Sequence, residues 1–129
     1  MAGRAFKRAP VVLGLLVALA ALSAAARATR APTYAERQAI TDALPTWFQK
    51  YPVECVWLGI TVSSSGQFAQ AGPTFLNVTR QPCSRYAANG FWILKKEGPR
   101  WKIIFNGSDR PPCSLKIPTD IANVCWKGR

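Results

Sequence analysis

Apolar and polar positions between residues 33 and 47 have the spacing of an amphipathic helix, in which apolar side chains recur every three or four residues. The residues that follow this rule are Ile40, Ala43, Leu44 and Trp47. At the start of the pattern, Thr33 and Glu36 form a capping box, because the Thr hydroxyl accepts from an early helix N–H while the Glu side chain accepts from the N–H of the cap. Pro45 lacks an amide donor and disfavours helix at the residue before it, so we expect the helix to end or kink there.

Downstream, the pattern changes to the alternation of apolar and polar positions that is typical of strands. Residues 55–62 predict a first strand, and a serine-rich turn leads into a short return strand over residues 67–71. Residues 91–94 and 101–105 predict an antiparallel hairpin whose turn contains Gly98.

Together these elements predict an α+β fold. The N-terminal amphipathic helix is expected to pack on a small curved antiparallel sheet of three to four strands, and the spacing of Ile117, Ile121 and Val124 predicts a short C-terminal helix. The predicted core consists of Ile40, Leu44, Trp47, Val56, Leu58, Ile60, Ile93, Trp101, Ile103 and Phe105. This order of elements is similar to that of the cystatin-like and nuclear-transport-factor-like folds, which host many functions and therefore imply none.

The first 28 residues have the order of a secretory signal peptide, with a cationic head, an apolar core and a small-residue cleavage site. The apolar core covers residues 11–22, and the last cleavage site ends at Ala28. An uncleaved membrane anchor is the alternative, but this run is shorter than the roughly 20 apolar residues that span a bilayer. We therefore expect residues 1–28 to be removed and residues 29–129 to form a single secreted domain without a membrane span.

The mature part contains four cysteines, and an even number in an exported domain predicts disulfides. Three pairings are possible. We favour Cys113 with Cys125, which closes a short loop, and Cys55 with Cys83, which ties the first strand to the irregular segment before the hairpin. The chain has no histidine, and its cysteines include no C-x-x-C pair, so we expect neither a metal site nor another cofactor.

The chain is strongly basic, with 17 Lys and Arg against 6 Asp and Glu. Without the four basic residues of the signal peptide (Arg4, Lys7, Arg8 and Arg27), 13 remain against the same 6 acids. This excess favours an anionic envelope component or an acidic protein as partner, although solubility explains it equally well. The basic residues are scattered along the mature chain, and so we expect no nucleic-acid partner.

A local resemblance covers about a quarter of the mature chain. It runs from Asn89 through the strand Trp-Lys-Ile-Ile-Phe at residues 101–105 to Leu115, and it includes Gly-Ser-Asp-x-Pro-Pro-Cys at residues 107–113. This stretch resembles small exported bacterial proteins with no assigned activity. The resemblance implies export but no reaction, substrate or catalytic residue.

Trp57 and Trp92 are predicted on the strand faces opposite the core. If that side of the sheet is uncovered, the two rings form an exposed apolar patch suited to binding. The alternative is that residues 74–88 or a second subunit cover them. Together with the loop 107–116, which carries Asp109 and Arg110, this face is our candidate binding surface.

The sequence leaves three candidate functions. The absence of histidine excludes Ser-His-Asp and Cys-His mechanisms, so we expect no catalytic residues and a non-enzymatic binding domain for an anionic or protein partner outside the membrane. The first alternative is a small envelope-glycan hydrolase that uses the carboxylates of Asp109 and Glu54, because glycosidases need two facing carboxylates. The second is a protease-inhibitor-like domain, with Pro111 and Pro112 stiffening a disulfide-braced loop.

Overall fold

The structure is a computed structural model that describes residues 28–87 and 89–128. The predicted signal peptide, apart from Ala28, lies outside the described residues. Within them the chain forms two helices and four strands, which are α1 (Tyr34–Ala43), α2 (Thr46–Gln49), β1 (Val56–Val62), β2 (Phe68–Phe75), β3 (Phe91–Glu97) and β4 (Arg100–Gly107). Single turns of 3₁₀ helix lie at Cys83–Arg85 and Cys113–Leu115.

The four strands form one antiparallel sheet in the order β1-β2-β3-β4. With few helices beside it, this sheet confirms the α+β class and its upper limit of four strands. Strands β1 and β4 stand at the two ends of this order and are therefore the edges of the sheet. The β3–β4 turn contains Gly98, whose φ of 59° is a left-handed value that suits glycine in a two-residue hairpin turn.

Helix α1 begins with a complete capping box. The Thr33 hydroxyl accepts from the Glu36 N–H at 3.1 Å, and the Glu36 carboxylate accepts from the Thr33 N–H at 2.9 Å. The helix ends before Pro45, and α2 starts as a separate turn immediately after it. Arg37 of α1 also donates to the carbonyl of Leu58 in β1 at 3.2 Å, which fastens the helix to the sheet edge.

The side of the sheet that faces the helices, here called the inner face, carries the main core. Its buried side chains come from both helices, the link between them and all four strands: Ile40, Leu44, Phe48, Ile60, Val62, Ala69, Ala71, Trp92, Leu94 and Trp101. Trp47 was predicted in this core but is 49% exposed. The break at Pro45 restarts the helical repeat in α2, and Phe48 takes the buried position instead.

A β-bulge changes which side chains of β4 face the core. Ile93 pairs with Phe105 and Leu94 pairs with Ile103, so Ile104 is an extra residue in β4. Phe105 consequently lies on the opposite side of the sheet, here called the outer face. Ile93 lies there as well, because it alternates along β3 with the core residues Trp92 and Leu94. The predicted place of both residues in the helix-facing core was wrong, for Phe105 because the sequence pattern does not reveal the extra residue and for Ile93 because the alternation of β3 was assigned to the wrong faces.

Strand β2 runs further than the sequence predicts, since it continues through Gly72 and Pro73 to Phe75. Pro73 pairs with Leu58 of β1. It has no partner in β3, because the pairing of β2 with β3 ends at Ala71. The missing amide of the proline is tolerated at that position because no third strand needs it there.

Residues 111–126, here called the C-terminal segment, contain no α-helix, so the predicted C-terminal helix was wrong. After the 3₁₀ turn at Cys113–Leu115 the chain makes a second turn, in which the N–H groups of Ile121 and Ala122 both donate to the Pro118 carbonyl. It then extends, and Trp126 forms a parallel bridge with Pro112. Ile121 is buried, and so is Ile93 on the outer face, from which we infer that the segment covers this part of the sheet.

Two disulfides complete the fold, one between Cys55 and Cys83 and one between Cys113 and Cys125. These are the two pairs favoured from the sequence. The first joins the start of β1 to the segment between β2 and β3. The second closes the C-terminal segment on itself.

Candidate functional site

Trp57 stands on the outer face of edge strand β1 and is 57% exposed. Its neighbour on the same face is Gly59, and a Cβ placed there would lie 3.0 Å from Trp57 Cζ3. The six-membered ring of the indole therefore leans over the backbone at Gly59. Any side chain at this position would push the ring away.

A depression opens beside this ring because two glycines meet across the β1–β2 ladder. Gly59 pairs with Gly72, and the next outer-face pair along the ladder is Thr61 with Gln70. The depression has a volume of about 350 Å³ and is lined by Trp57, Gly59, Ile60, Thr61, Gln70 and Gly72. Its floor is bare backbone, its one aromatic wall is Trp57, and its polar groups are a hydroxyl and an amide.

A second depression, of about 280 Å³, adjoins the first. Gln70 lines both, and the second continues past Phe91 to Asp109 and Arg110 and is bordered by residues 121–124 of the C-terminal segment. The two depressions together are here called the Trp57 groove. The groove brings Trp57 to the same face of the sheet as Asp109 and Arg110, although these residues are more than 50 positions apart in sequence.

Trp92 does not belong to this surface, which corrects the prediction that it shares a face with Trp57. It pairs with Ala71, lies on the inner face and is only 4% exposed. Its indole packs against Phe48 and Trp47, with ring centroids 5.0 and 6.1 Å away. The prediction assigned the alternating side chains of β3 to the wrong faces of the sheet. Trp92 and Ile93 are neighbours and both are buried, so the sequence does not show which of the two faces the helices.

The Trp92 indole N–H is buried and has no hydrogen-bond partner among the described residues. It lies beside a cavity of about 40 Å³ whose lining includes Asn89 and Asn106. That volume matches one or two water molecules and is too small for a substrate. We therefore assign this cavity to the core and not to a ligand site.

The charges beside the Trp57 groove are mostly positive. Asp109 is 91% exposed on its side chain, and its Oδ1 accepts the Arg110 backbone N–H at 2.7 Å. The Arg110 side chain is 61% exposed and lies 3.9 Å from the same carboxylate oxygen, a loose contact that leaves most of the guanidinium available. Lys95 and Lys102 pair directly across β3 and β4 on the outer face, and both are exposed.

The strongest ion pair of the described residues lies elsewhere. Arg30 donates from both terminal nitrogens to Glu36, at 2.7 and 2.8 Å. Hydrogen bonding to Arg30 lowers the pKa of Glu36 to about 2, and the Thr33 N–H adds to this effect. The pair joins the N-terminal segment to the capping box of α1, so its role is structural.

The geometry does not favour the two alternative functions. Glu54 precedes edge strand β1 and Asp109 follows edge strand β4, so three strand spacings, roughly 14 Å, separate the strands that carry them. Glycosidase carboxylates lie about 5 to 9.5 Å apart, so this separation does not suit a catalytic pair. In the loop proposed for a protease inhibitor, Pro111 is buried and does not form a projecting tip.

Sequence reasoning overlooked the residues that shape the groove. Gly59 and Gly72 pair across the β1–β2 hairpin, whereas a hairpin centred on the predicted turn at residues 63–66 would have paired Gly59 with Gln70. A glycine inside a strand often marks a close approach by a ligand or another backbone. Gln70 and Thr61 then follow as the next outer-face pair.

Over residues 28–87 and 89–128, no helix combines the length and apolar character that a membrane crossing requires. The same residues contain no group of three or more His, Cys, Asp or Glu placed to hold a metal ion. No family model matches the chain, and comparisons with characterised proteins and with solved structures find no significant similarity.

Proposed function

We propose that this protein is an exported, non-enzymatic binding domain that holds an anionic or protein partner outside the membrane through the Trp57 groove. The observation that carries the proposal is the exposed indole of Trp57 above a floor made of Gly59 and Gly72. Large rigid aromatic side chains are the usual anchors of binding surfaces, and Trp57 presents such a side chain on the sheet.

The groove has the construction of a binding surface in two further respects. Its walls come from a disulfide-braced segment and a four-stranded sheet, so the contacting groups are held in place before a ligand arrives. Its residues include an amide, a hydroxyl and a guanidinium, which are groups that give direction to hydrogen bonds.

Export is part of the same proposal. The signal-peptide pattern of residues 1–28 and the two disulfides support a domain that matures in an oxidising compartment. An excess of basic residues then favours partners that carry negative charge, which are abundant on cell envelopes.

The test compares three versions of the full chain, secreted from an exporting host. Wild type, Trp57→Ala and Tyr34→Ala are immobilised and exposed to the extracellular fraction of the native organism. Tyr34 is the matched control because it is an exposed aromatic residue at the start of α1, on the helix side of the sheet.

We expect the same component to be retained by wild type and Tyr34→Ala and to be lost with Trp57→Ala. Equal retention by all three versions would show that the Trp57 groove is not the binding surface. Mass spectrometry of the secreted chain tests export at the same time, because an intact Met1 would contradict signal cleavage.

A further inference from the structure

We infer that the ligand of the Trp57 groove is an acidic polysaccharide, a chain of sugar rings that carry carboxylates. This inference rests on the proposed function and names the class of partner. Three independent features of the outer face support it, which are the shape of the groove, the chemistry of its walls and the charge around it.

The shape suits an extended chain. The two depressions meet at Gln70, and together they run from edge strand β1 to the residues that follow edge strand β4. Three strand spacings make this distance roughly 14 Å. A shallow groove of that length accepts several repeating units of a polymer, whereas small-molecule sites are deep and enclose most of the ligand.

The walls suit sugar rings. Trp57 presents an exposed aromatic surface on which the apolar C–H side of a ring can lie. Gln70 and Thr61 stand beside it with an amide and a hydroxyl, which can both donate to and accept from ring hydroxyls. The bare backbone at Gly59 and Gly72 leaves room for the ring between them.

The charge suits carboxylates. Arg110 at the far end of the groove has an exposed guanidinium, whose planar fork matches a carboxylate. Lys95 and Lys102 form an exposed like-charge pair across β3 and β4, which destabilises their pairing and which a nearby anion would relieve. Lys95 Nζ also lies 5.9 Å from the centroid of the Phe68 ring. By strand geometry Lys95 lies roughly 8 Å from Gln70, within one Debye length at physiological salt.

An acidic polysaccharide fits the groove better than an acidic protein does, because it combines regularly spaced carboxylates with rings that carry many hydroxyls. An acidic protein would satisfy the basic residues, but it would not explain why the aromatic ring lies over a floor without side chains. A neutral polysaccharide would explain the ring and the floor but not the adjacent positive charge.

The experiment uses two probes that have the same sugar rings, one with charged carboxylates and one with neutral methyl esters. Isothermal titration measures binding of the secreted chain to polygalacturonate oligomers and to the same oligomers after methyl esterification, which keeps the rings and removes the carboxylate charges. The variants are Trp57→Ala and Arg110→Gln, with Tyr34→Ala and Lys50→Gln as matched controls on the helix side.

We expect the charged oligomer to bind, the esterified oligomer to bind at least about tenfold more weakly, and the affinity for the charged form to fall as salt rises. Trp57→Ala and Arg110→Gln should each weaken binding, while the two controls leave it unchanged. Unfolding midpoints of all variants establish that they are folded.

Equal binding of both oligomers, or equal loss in the control variants, would overturn the inference. So would a complete absence of binding to either oligomer in a chain that still captures a native partner through Trp57. In that last case the proposed binding domain stands and its partner is of another class. If the chain binds neither the oligomers nor a native partner through Trp57, the proposed function is wrong as well.

Discussion

The carboxylate of Asp120 accepts a hydrogen bond from the backbone N–H of Ser64 at 2.8 Å, across 56 residues of sequence. Ser64 lies in the β1–β2 turn, next to the buried Ser63. The Ser63 hydroxyl accepts a hydrogen bond from the Phe68 N–H at 3.1 Å. The contact therefore fastens the C-terminal segment to the β1–β2 turn of the sheet. This attachment determines where the segment crosses the outer face, and so it defines one border of the Trp57 groove.

Asp120→Ala should lower the free energy of unfolding by about 1 to 2 kcal/mol, because a charge-assisted hydrogen bond is lost and the segment is freed at one end. Urea unfolding measures the change. The matched control is Asp109→Ala, since the Asp109 carboxylate is exposed and bonds only within its own loop. An equal loss in both variants would show that the Asp120 contact has no special role.

How far the sequence predicts this fold depends on whether the signal is local or long-range. The serine-rich turn and the glycine of the β3–β4 turn are local signals, and both lie at the predicted hairpins. The bulge at Ile104 is different, because it arises from how two strands fit together and leaves no mark in a single strand. The predicted face of Phe105 was wrong for this reason.

The candidate site shows the same division. Trp57 was expected on the face away from the helix, and the structure places it there, because alternation within β1 is regular. Trp92 was assigned to that face and lies on the other, since both it and Ile93 are buried and the pattern contains no polar position to orient it. The glycine floor depends on the pairing of β1 with β2, which only the three-dimensional register reveals.

Trp92→Ala and Trp57→Ala should differ greatly in stability, and this difference tests the face to which each residue is assigned. Removal of the buried Trp92 side chain leaves a large cavity against Phe48 and should cost about 3 to 5 kcal/mol. Trp57 is exposed, so its removal should change the free energy of unfolding by less than about 0.5 kcal/mol. Chemical denaturation of both variants measures the two values, and similar costs would contradict the assigned faces.

Gly59→Ala should displace the Trp57 indole while leaving the fold intact. The added Cβ would stand 3.0 Å from Trp57 Cζ3, and this contact is with an exposed ring that is free to move. We expect a change in the indole N–H resonance of Trp57 and weaker ligand binding. Gly72→Ala is the control for the resonance alone, because its Cβ would lie 3.7 Å from the nearest atom, Phe91 Cβ, which is an ordinary contact away from the indole. An unchanged Trp57 resonance in Gly59→Ala would show that the ring does not lean over this position.

The two disulfides should contribute unequally. Replacement of Cys113 and Cys125 by serine opens a loop with a sequence separation of 12, and replacement of Cys55 and Cys83 opens one of 28. Each loss should cost about 2 to 4 kcal/mol, with the longer loop costing more. Cys55 and Cys83 are also buried, so their serine replacements add desolvated hydroxyls. Guanidinium unfolding of the two double variants gives the order, and a larger loss for the C-terminal pair would contradict it.

The acid sensitivity of the domain should depend on Glu36. Its pKa is about 2 in the folded protein, below the ordinary value of 4.5, because Arg30 and the Thr33 N–H stabilise the carboxylate. The folded state therefore binds this proton more weakly than the unfolded state does. Its stabilising effect is complete above about pH 4.5 and is lost as the pH falls from there to about 2.

Glu36→Gln retains an acceptor for the Thr33 N–H but removes the charge that pairs with Arg30. We expect its unfolding midpoint to lie below that of wild type at pH 7 and the difference to shrink between pH 4.5 and 2. Glu97→Gln is the control, because this exposed carboxylate in the β3–β4 hairpin has no ion pair among the described residues. Thermal melts across this pH range measure both variants, and a difference between wild type and Glu36→Gln that stays constant down to pH 2 would show that the carboxylate charge is not what stabilises the start of α1.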